Sequence, residues 1–421
     1  MSPKKLYAWL VIAGVAIIGL SFFIWGYENT WHLWNLPTVM PPFLDFRLIT
    51  GGAESIQAGY DPRINNPFDP GTRLFNYPQI WFIILKSGIN LQWTIPLAIL
   101  TILLFIISVI SFPGEVTKLS GIFLLAILFS PAILLGVERC NVDLLVFSCM
   151  ALALLVSEQR PLGSFLILMI GIVFKLFPLF GIGFFLGLEK KKALKLLLAT
   201  LACSILYFAS IFKDMLHLAA VTQKGITPAY GWLILPEFFY TTSRQMMMLK
   251  KFNFLFLILL IGLSLGTIYL ARKKHQTIIY AIPNSRNLRA FWLGAGVYVG
   301  TFLLGNNWDY RLMFLIFCTL QLAEWSKKEG SNFPIASRTT SIMLFISCWN
   351  LIISKFLLII FSEKSPAPII IDEIANWLLF VGLLYLLVGS LPSWVHEDTL
   401  IMLKNSVKRI LHLRKSKEYS G

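Results

Sequence analysis

Charged side chains crowd into one stretch, Leu44 to Pro78 (LDFRLITGGAESIQAGYDPRINNPFDPGTRLFNYP), which carries Asp45, Arg47, Glu54, Asp61, Arg63, Asp69 and Arg73. Asp45 lies just past Pro41-Pro42, where a helix can begin, among Phe43, Leu44 and Phe46. A carboxylate at an apolar interface can have its pKa raised and take a proton from a hydroxyl. The same residue also suits a helix-capping or topology-setting charge. Arg47 is its neighbour in sequence. The cations that could face a departing anion are Lys175, Arg139 and Arg311. Lys175 sits between two apolar runs, where a charge near a bilayer centre costs about 2.5–3.5 kcal/mol, unless it snorkels from a helix end. A second polar knot is Gly305-Asn306-Asn307-Trp308-Asp309-Tyr310-Arg311. Asp309 and Arg311 either pair with each other or meet a ligand; Trp308 and Tyr310 either stack on a sugar or join an interfacial aromatic belt.

Other chemistries find less. Asp61, Asn65, Asn66 and Asp69 offer oxygens, but their spacing fits no EF-hand, and Pro62, Pro67 and Pro70 point to a rigid turn. His32 and His217 are isolated, and Cys140, Cys149, Cys203, Cys318 and Cys348 show neither CxxC nor Cys/His spacing. No metal and no cofactor is expected.

The elements that must hold these residues are set by composition. Apolar residues make up 57% of 421, charged residues 14%, and the mean hydropathy is +0.73. That much apolar surface calls for lipid as solvent. The apolar runs are continuous rather than alternating, so helices, not a barrel, satisfy the backbone. The expected fold is all-α and polytopic, with about 12 spans near 6–26, 92–111, 118–137, 142–157, 162–175, 177–188, 194–212, 252–271, 288–304, 311–324, 339–361 and 374–391. The first run is too long for a signal-peptide core and reads as a retained span. Segment 79–89 is expected to lie as a helix at the interface. Residues 162–188 read as two short helices meeting near Lys175.

On this layout almost the whole net charge of +15 falls on one side, at Lys4-Lys5, Lys118, Arg160, the four lysines of 190–195, five cations in 272–289, three in 327–338 and six in the C-terminal tail. That is the positive-inside bias, not a nucleic-acid footprint. Both termini are expected to be cytoplasmic in a plasma (inner) membrane, with long loops 27–91 and 213–251 outside. The tail 394–421 sets Leu400, Leu403, Val407 and Ile410 at helical spacing opposite Lys404, Lys408 and Arg409, as an amphipathic helix on anionic membrane lipids does. No internal repeat is found.

The order D-F-R, G-Y-D-P, F-N-Y-P after a first span resembles the polyprenol-phosphate-sugar-dependent glycosyltransferases of the C superfamily (GT-C), most like glycosyltransferase family 87, bacterial α-mannosyltransferases and relatives. The resemblance implies an acidic general base in the first outer loop at Asp45, a G-x-x-P turn at Gly59-Tyr60-Asp61-Pro62, and a Y-P-P element at Tyr77-Pro78, with Gln79 replacing the second proline. It continues at Pro131 and at Gly136 to Asn141, where the family's Gly-Gln-x-Asn element lacks its glutamine and gains Glu138-Arg139. It returns at Lys175 to Pro178, like the family's Lys-x-x-Pro element. Coverage is 1–215, expected as a GT-C-type module; 216–393 is expected as a variable transmembrane module. Tyr77, Asn141, Arg47, Trp308, Asp309 and Tyr310 are then the candidate substrate-binding residues.

The resemblance implies transfer of a sugar, a hexose such as mannose, from a polyprenyl-phosphate donor to a glycan or lipid acceptor on the outer face. Asp45 would be the base, the anomeric carbon would invert, and Lys175, Arg139 and Arg311 would hold the phosphate. Such a donor needs no nucleotide fold, and the chain has neither a Rossmann fingerprint nor a P-loop. The competing expectations are a lipid-linked-oligosaccharide flippase or secondary transporter, which needs charges through both leaflets, and a non-catalytic assembly subunit.

Overall fold

The computed structural model describes residues 1–243, 246–275, 285–327, 333–362 and 365–395. The expected amphipathic tail helix at Leu400 to Ile410 lies outside the described residues.

The described chain is helical apart from one two-stranded ladder. Six helices are long and apolar enough to cross a membrane: Pro3–Trp25, Leu91–Ser111, Lys190–Ser210, Leu249–Lys273, Pro334–Phe361 and Ala367–Gly389. A seventh appears if Lys118–Leu128 and Pro131–Arg139, bent by 50°, make one broken span. The bend has a local cause, since Pro131 opens the second piece and cannot donate into the turn before it. The outer helices turn Phe23, Leu198, Ile205 and Ile359 away from the protein, as lipid-facing surfaces require.

The count of about 12 is not reached on this measure, and the shortfall has a pattern. Asp143–Val156 and Pro161–Phe174 have 14 residues each. Phe177–Gly187 and Asp309–Cys318 are 3₁₀ helices. A 3₁₀ segment rises about 2.0 Å per residue, so eleven residues reach roughly 22 Å where an α-helix would reach about 16 Å. Pro178 and the glycines of FPLFGIGFFLG weaken α-helix there. Arg286–Leu304 is buried along nearly its whole length. It packs between the two 3₁₀ segments through small residues: a Cβ on Gly294 would meet the Phe314 carbonyl at 2.5 Å, and one on Gly300 would overlap the Phe180 ring. Asp143–Val156, Arg286–Leu304 and Asp309–Cys318 are largely buried and form an inner layer, whereas Pro161–Phe174 turns Leu162, Leu166 and Ile170 outward like the long apolar helices. The core runs unbroken from Tyr7 to Leu386, across the expected module boundary near 215.

Connections gather at two ends. At one, Lys4 Nζ donates to the Pro113 carbonyl at 2.5 Å, Asn287 Nδ2 to Glu115 at 2.9 Å, and Lys327 Nζ to Thr117 Oγ1 at 3.1 Å. Segments 27–90, 140–142, 175–176, 211–243 and 305–308 meet at the other. There the helix Leu44–Gln57 begins after Phe43, whose φ of 64° is left-handed. The loop behind it folds back: Ser55 Oγ donates to Asn66 Oδ1 at 2.7 Å, and Gly51 leaves room for the Phe68 carbonyl, 2.6 Å from where a Cβ would stand. The interfacial helix expected over 79–89 is instead a 3₁₀ turn, Gln79–Trp81, and one α turn, Phe82–Leu85, with Trp81 and Leu85 buried inward. The long loop 213–251 carries helices Phe212–Val221 and Ile234–Ser243, and its strand Ala229–Tyr230 pairs antiparallel with Asn307–Trp308. That ladder ties the second polar knot to the second long loop.

Candidate functional site

A cavity of about 1010 Å³ opens at this end. Asp45, Arg139, Asn141, Tyr77, Lys175, Trp308, Tyr310 and Arg311 all line it, from five separate parts of the chain. Leu44, Leu48, Leu135, Phe177 and Leu218 supply an apolar side.

Asp45 stands in the first turn of Leu44–Gln57. Its surroundings are not the apolar ones expected. Arg73 Nη1 donates to Oδ1 at 2.8 Å, and Asn141 Nδ2 donates to Oδ2 at 2.7 Å. A carboxylate offers about four acceptor sites, so each oxygen keeps capacity for an incoming hydroxyl. Arg73 is held in turn by Asp69, through Nε at 3.1 Å and Nη2 at 2.9 Å, and it donates to the Leu44 carbonyl. The backbone N–H groups of Gly71 and Arg73 complete the shell of Asp69 Oδ2 at 3.1 and 2.9 Å. Burial alone would lower the Arg73 pKa, but Asp69 and Asp45 outweigh it and raise it, so the guanidinium stays charged. The Asn66 and Asp69 oxygens that could have been metal ligands therefore serve this loop, and Asp61 pairs with Arg63 at 3.3 Å.

On the other side of Asn141 stands Asp143, completely buried at the head of Asp143–Val156. Asn141 Oδ1 accepts from its N–H at 3.0 Å. Its Oδ1 lies 3.0 Å from Lys175 Nζ, and its Oδ2 accepts from Arg311 Nε at 3.1 Å. Lys175 occupies the break between Pro161–Phe174 and the following 3₁₀ helix, in extended conformation. Its ammonium lies 4.9 Å from the Tyr77 ring centre, and the Arg311 guanidinium 4.5 Å from that of Phe177. Lys175 thus turns inward to a carboxylate rather than snorkelling. Burial, then the Asp45 charge, push the Tyr77 phenol far above its ordinary pKa, so it stays protonated. Cys140, left-handed at φ 43°, ends Pro131–Arg139 and turns the chain so that Asn141 reaches Asp45. Left-handed Phe43 and Cys140 thus adjoin both partners of that contact; such conformations cost about 1–2 kcal/mol outside glycine.

Arg139 reaches the cavity edge, paired with buried Glu138 at 2.9 Å and donating to the Pro37 carbonyl at 2.7 Å. Trp308 lines the cavity and donates from Nε1 to the Gln223 carbonyl at 3.3 Å. Two expected substrate residues fall elsewhere. Arg47 turns back to cap its own helix entry, Nε to the Pro42 carbonyl at 2.9 Å. Asp309 is 1% exposed and outside the cavity lining. The anticipated Asp309–Arg311 pair does not form; Arg311 takes Asp143 and Asn307 instead.

Arg73, Asp69 and Asp143 were not among the expected site residues. Asp143 carried a signal: a carboxylate and Lys175, each inside an apolar run, are both costly unless they meet.

The site joins a carboxylate with open acceptor capacity to two cations on a shared buried counter-charge. The Asp45–Arg73–Asp69 group carries one formal negative charge, the Lys175–Arg311–Asp143 group one positive charge. Such a cavity can accept a proton at one wall and stabilise an anion at the other. Compared with protein-family models, curated proteins and solved structures, the chain shows no match.

Proposed function

We propose that the chain is an integral membrane glycosyltransferase that takes a sugar, a hexose such as mannose, from a polyprenyl-phosphate donor. Asp45 removes a proton from an acceptor hydroxyl of a glycan or lipid, and that oxygen attacks the anomeric carbon. The bond to the phosphate oxygen breaks, the configuration inverts, and the prenyl phosphate leaves against Lys175 and Arg311, with Arg139 at the edge. Arg73 and Asn141 fix both Asp45 oxygens, which supports an attack geometry set before substrate arrives.

One observation carries this reading: Asp45, Lys175 and Arg311, far apart in sequence, line one cavity with an apolar side. The arrangement of segments supports about twelve traverses, six through the long apolar helices and six through the bent pair and the shorter or buried elements. The Lys and Arg distribution supports a cytoplasmic basic end and an outer-facing cavity in a plasma (inner) membrane. All the cavity's charged groups lie at one end, which favours chemistry over passage through both leaflets.

The test uses purified protein in detergent with a short-chain polyprenyl-phosphate sugar, and separately the matching nucleotide sugar. Transfer from the first alone is expected. Turnover with the nucleotide sugar alone contradicts the reading. Movement of labelled lipid across sealed liposomes without sugar transfer would favour a flippase.

A further inference from the structure

Asp143 touches no part of the cavity itself, yet it decides the cavity's charge. It is 0% exposed, behind Lys175 and Arg311, and binds each through a different oxygen at 3.0 and 3.1 Å. Without it, those cations would present two positive charges to an arriving ligand; with it, they present one. The other cations lining the cavity face carboxylates as well: Arg73 faces Asp45 and Asp69, Arg139 faces Glu138, and Lys224 lies 4.0 Å from Glu237. At the wall formed by Lys175 and Arg311 the positive excess is therefore the single charge left by Asp143, while Arg139 and the exposed Lys224 stand at the cavity's edge.

We infer that Asp143 is a specificity-determining residue, which sets the anion wall to accept one phosphodiester charge and to disfavour diphosphates. The inference rests on the proposed donor reading and deepens it. A prenyl phosphodiester carries one negative charge. A prenyl diphosphate, or a nucleotide diphosphate sugar, brings at least one more, close to a buried carboxylate, where Lys175 and Arg311 have no second positive charge in excess to meet it. Like-charge juxtaposition against a competitor is one of the two ways a site discriminates, beside contacts that favour the partner. In a site of low effective dielectric that repulsion is strong. Lys175 keeps two ammonium hydrogens and Arg311 keeps guanidinium hydrogens beyond those given to Asp143 and Asn307, so the cations still have donors for one phosphate.

The experiment measures binding of two probes to the full-length protein in detergent: a short-chain prenyl methyl phosphodiester and the prenyl diphosphate of the same chain. Wild type is expected to prefer the diester by about tenfold or more, the size expected of one unscreened like charge. Asp143→Asn should erase or invert that preference, with a thermal melt reporting the fold. Asp143→Asn combined with Arg311→Gln returns the wall to one positive charge and should restore the preference, which a merely structural role would not do. Equal or tighter binding of the diphosphate by wild type overturns the inference, whatever the variants do. So does an Asp143→Asn variant that shifts both probes equally. If wild type binds the two probes alike while transferring sugar from the phosphate donor, the charge-matching inference fails and the donor reading stands. If it binds neither, both fall.

Discussion

Asn141 donates to Asp45 Oδ2 at 2.7 Å, while the oxygen of the same amide accepts the Asp143 N–H at 3.0 Å. One side chain thus joins the carboxylate wall of the cavity to the carboxylate that organises its cations. Replacing Asn141 with Leu removes both bonds and leaves a buried N–H unpaired, at about 1–3 kcal/mol of stability. Transfer should fall by about 10²-fold through misplacement of Asp45. A melt together with single-turnover rates checks this; a stability loss without a rate loss contradicts it.

Arg73 bridges Asp45 and fully buried Asp69. Arg73→Met leaves both carboxylates without their main partner and should cost about 3–5 kcal/mol, the range for breaking a buried pair. Arg73→Lys keeps the charge but loses the two-pronged hold on Asp69, so it should recover only part of the stability. Chemical or thermal denaturation of the two variants in one detergent measures the difference.

Lys175→Met keeps the stem and deletes the charge. If Lys175 meets charge that grows on the leaving phosphate, kcat should drop by about 10²–10³ while donor affinity changes less. Steady-state rates beside equilibrium donor binding separate the two. Loss of binding with kcat preserved would give Lys175 a ground-state role only.

Reporter fusions after residues 65, 230 and 308 should share one face of the membrane, and fusions after 192 and 275 the other. The motive is the Lys and Arg distribution, with residues 65, 230 and 308 lying in the segments around the cavity. Residues 65 and 192 reporting one face would separate Asp45 from the orientation proposed for the cavity.

Much of this site was legible in the sequence because membrane proteins punish stray charge. Asp45, Arg139, Lys175 and Arg311 stood out as polar groups at the ends of apolar runs, and the break at Lys175 followed from Pro178 and the flanking basic residues. What composition could not convey was pairing. Asp309 and Arg311, two residues apart, invited a local pair, but a 3₁₀ helix advances about a third of a turn per residue, and Arg311 faces Asp143 across the cavity wall. Arg73 lay in a loop whose prolines suggested only a rigid turn, and its link to Asp45 spans 28 positions. Six of the expected spans are long apolar helices; the others fall on short, bent, buried or 3₁₀ elements, which a run of apolar residues does not reveal.

Asp45→Asn tests the central claim most directly, because it keeps the shape of the side chain and an oxygen to accept from Arg73 while losing the proton acceptor. Single-turnover transfer should fall by about 10²–10⁴, the range for a positioned acid–base group. Donor binding should stay near wild type, the melting temperature should fall because the new amide NH2 faces Asn141 Nδ2 and the Arg73 ion pair is lost, and Asp61→Asn should change the rate far less. Near-normal transfer by Asp45→Asn would contradict the account, because the cavity would then be doing its chemistry without the carboxylate that Arg73 and Asn141 hold in place.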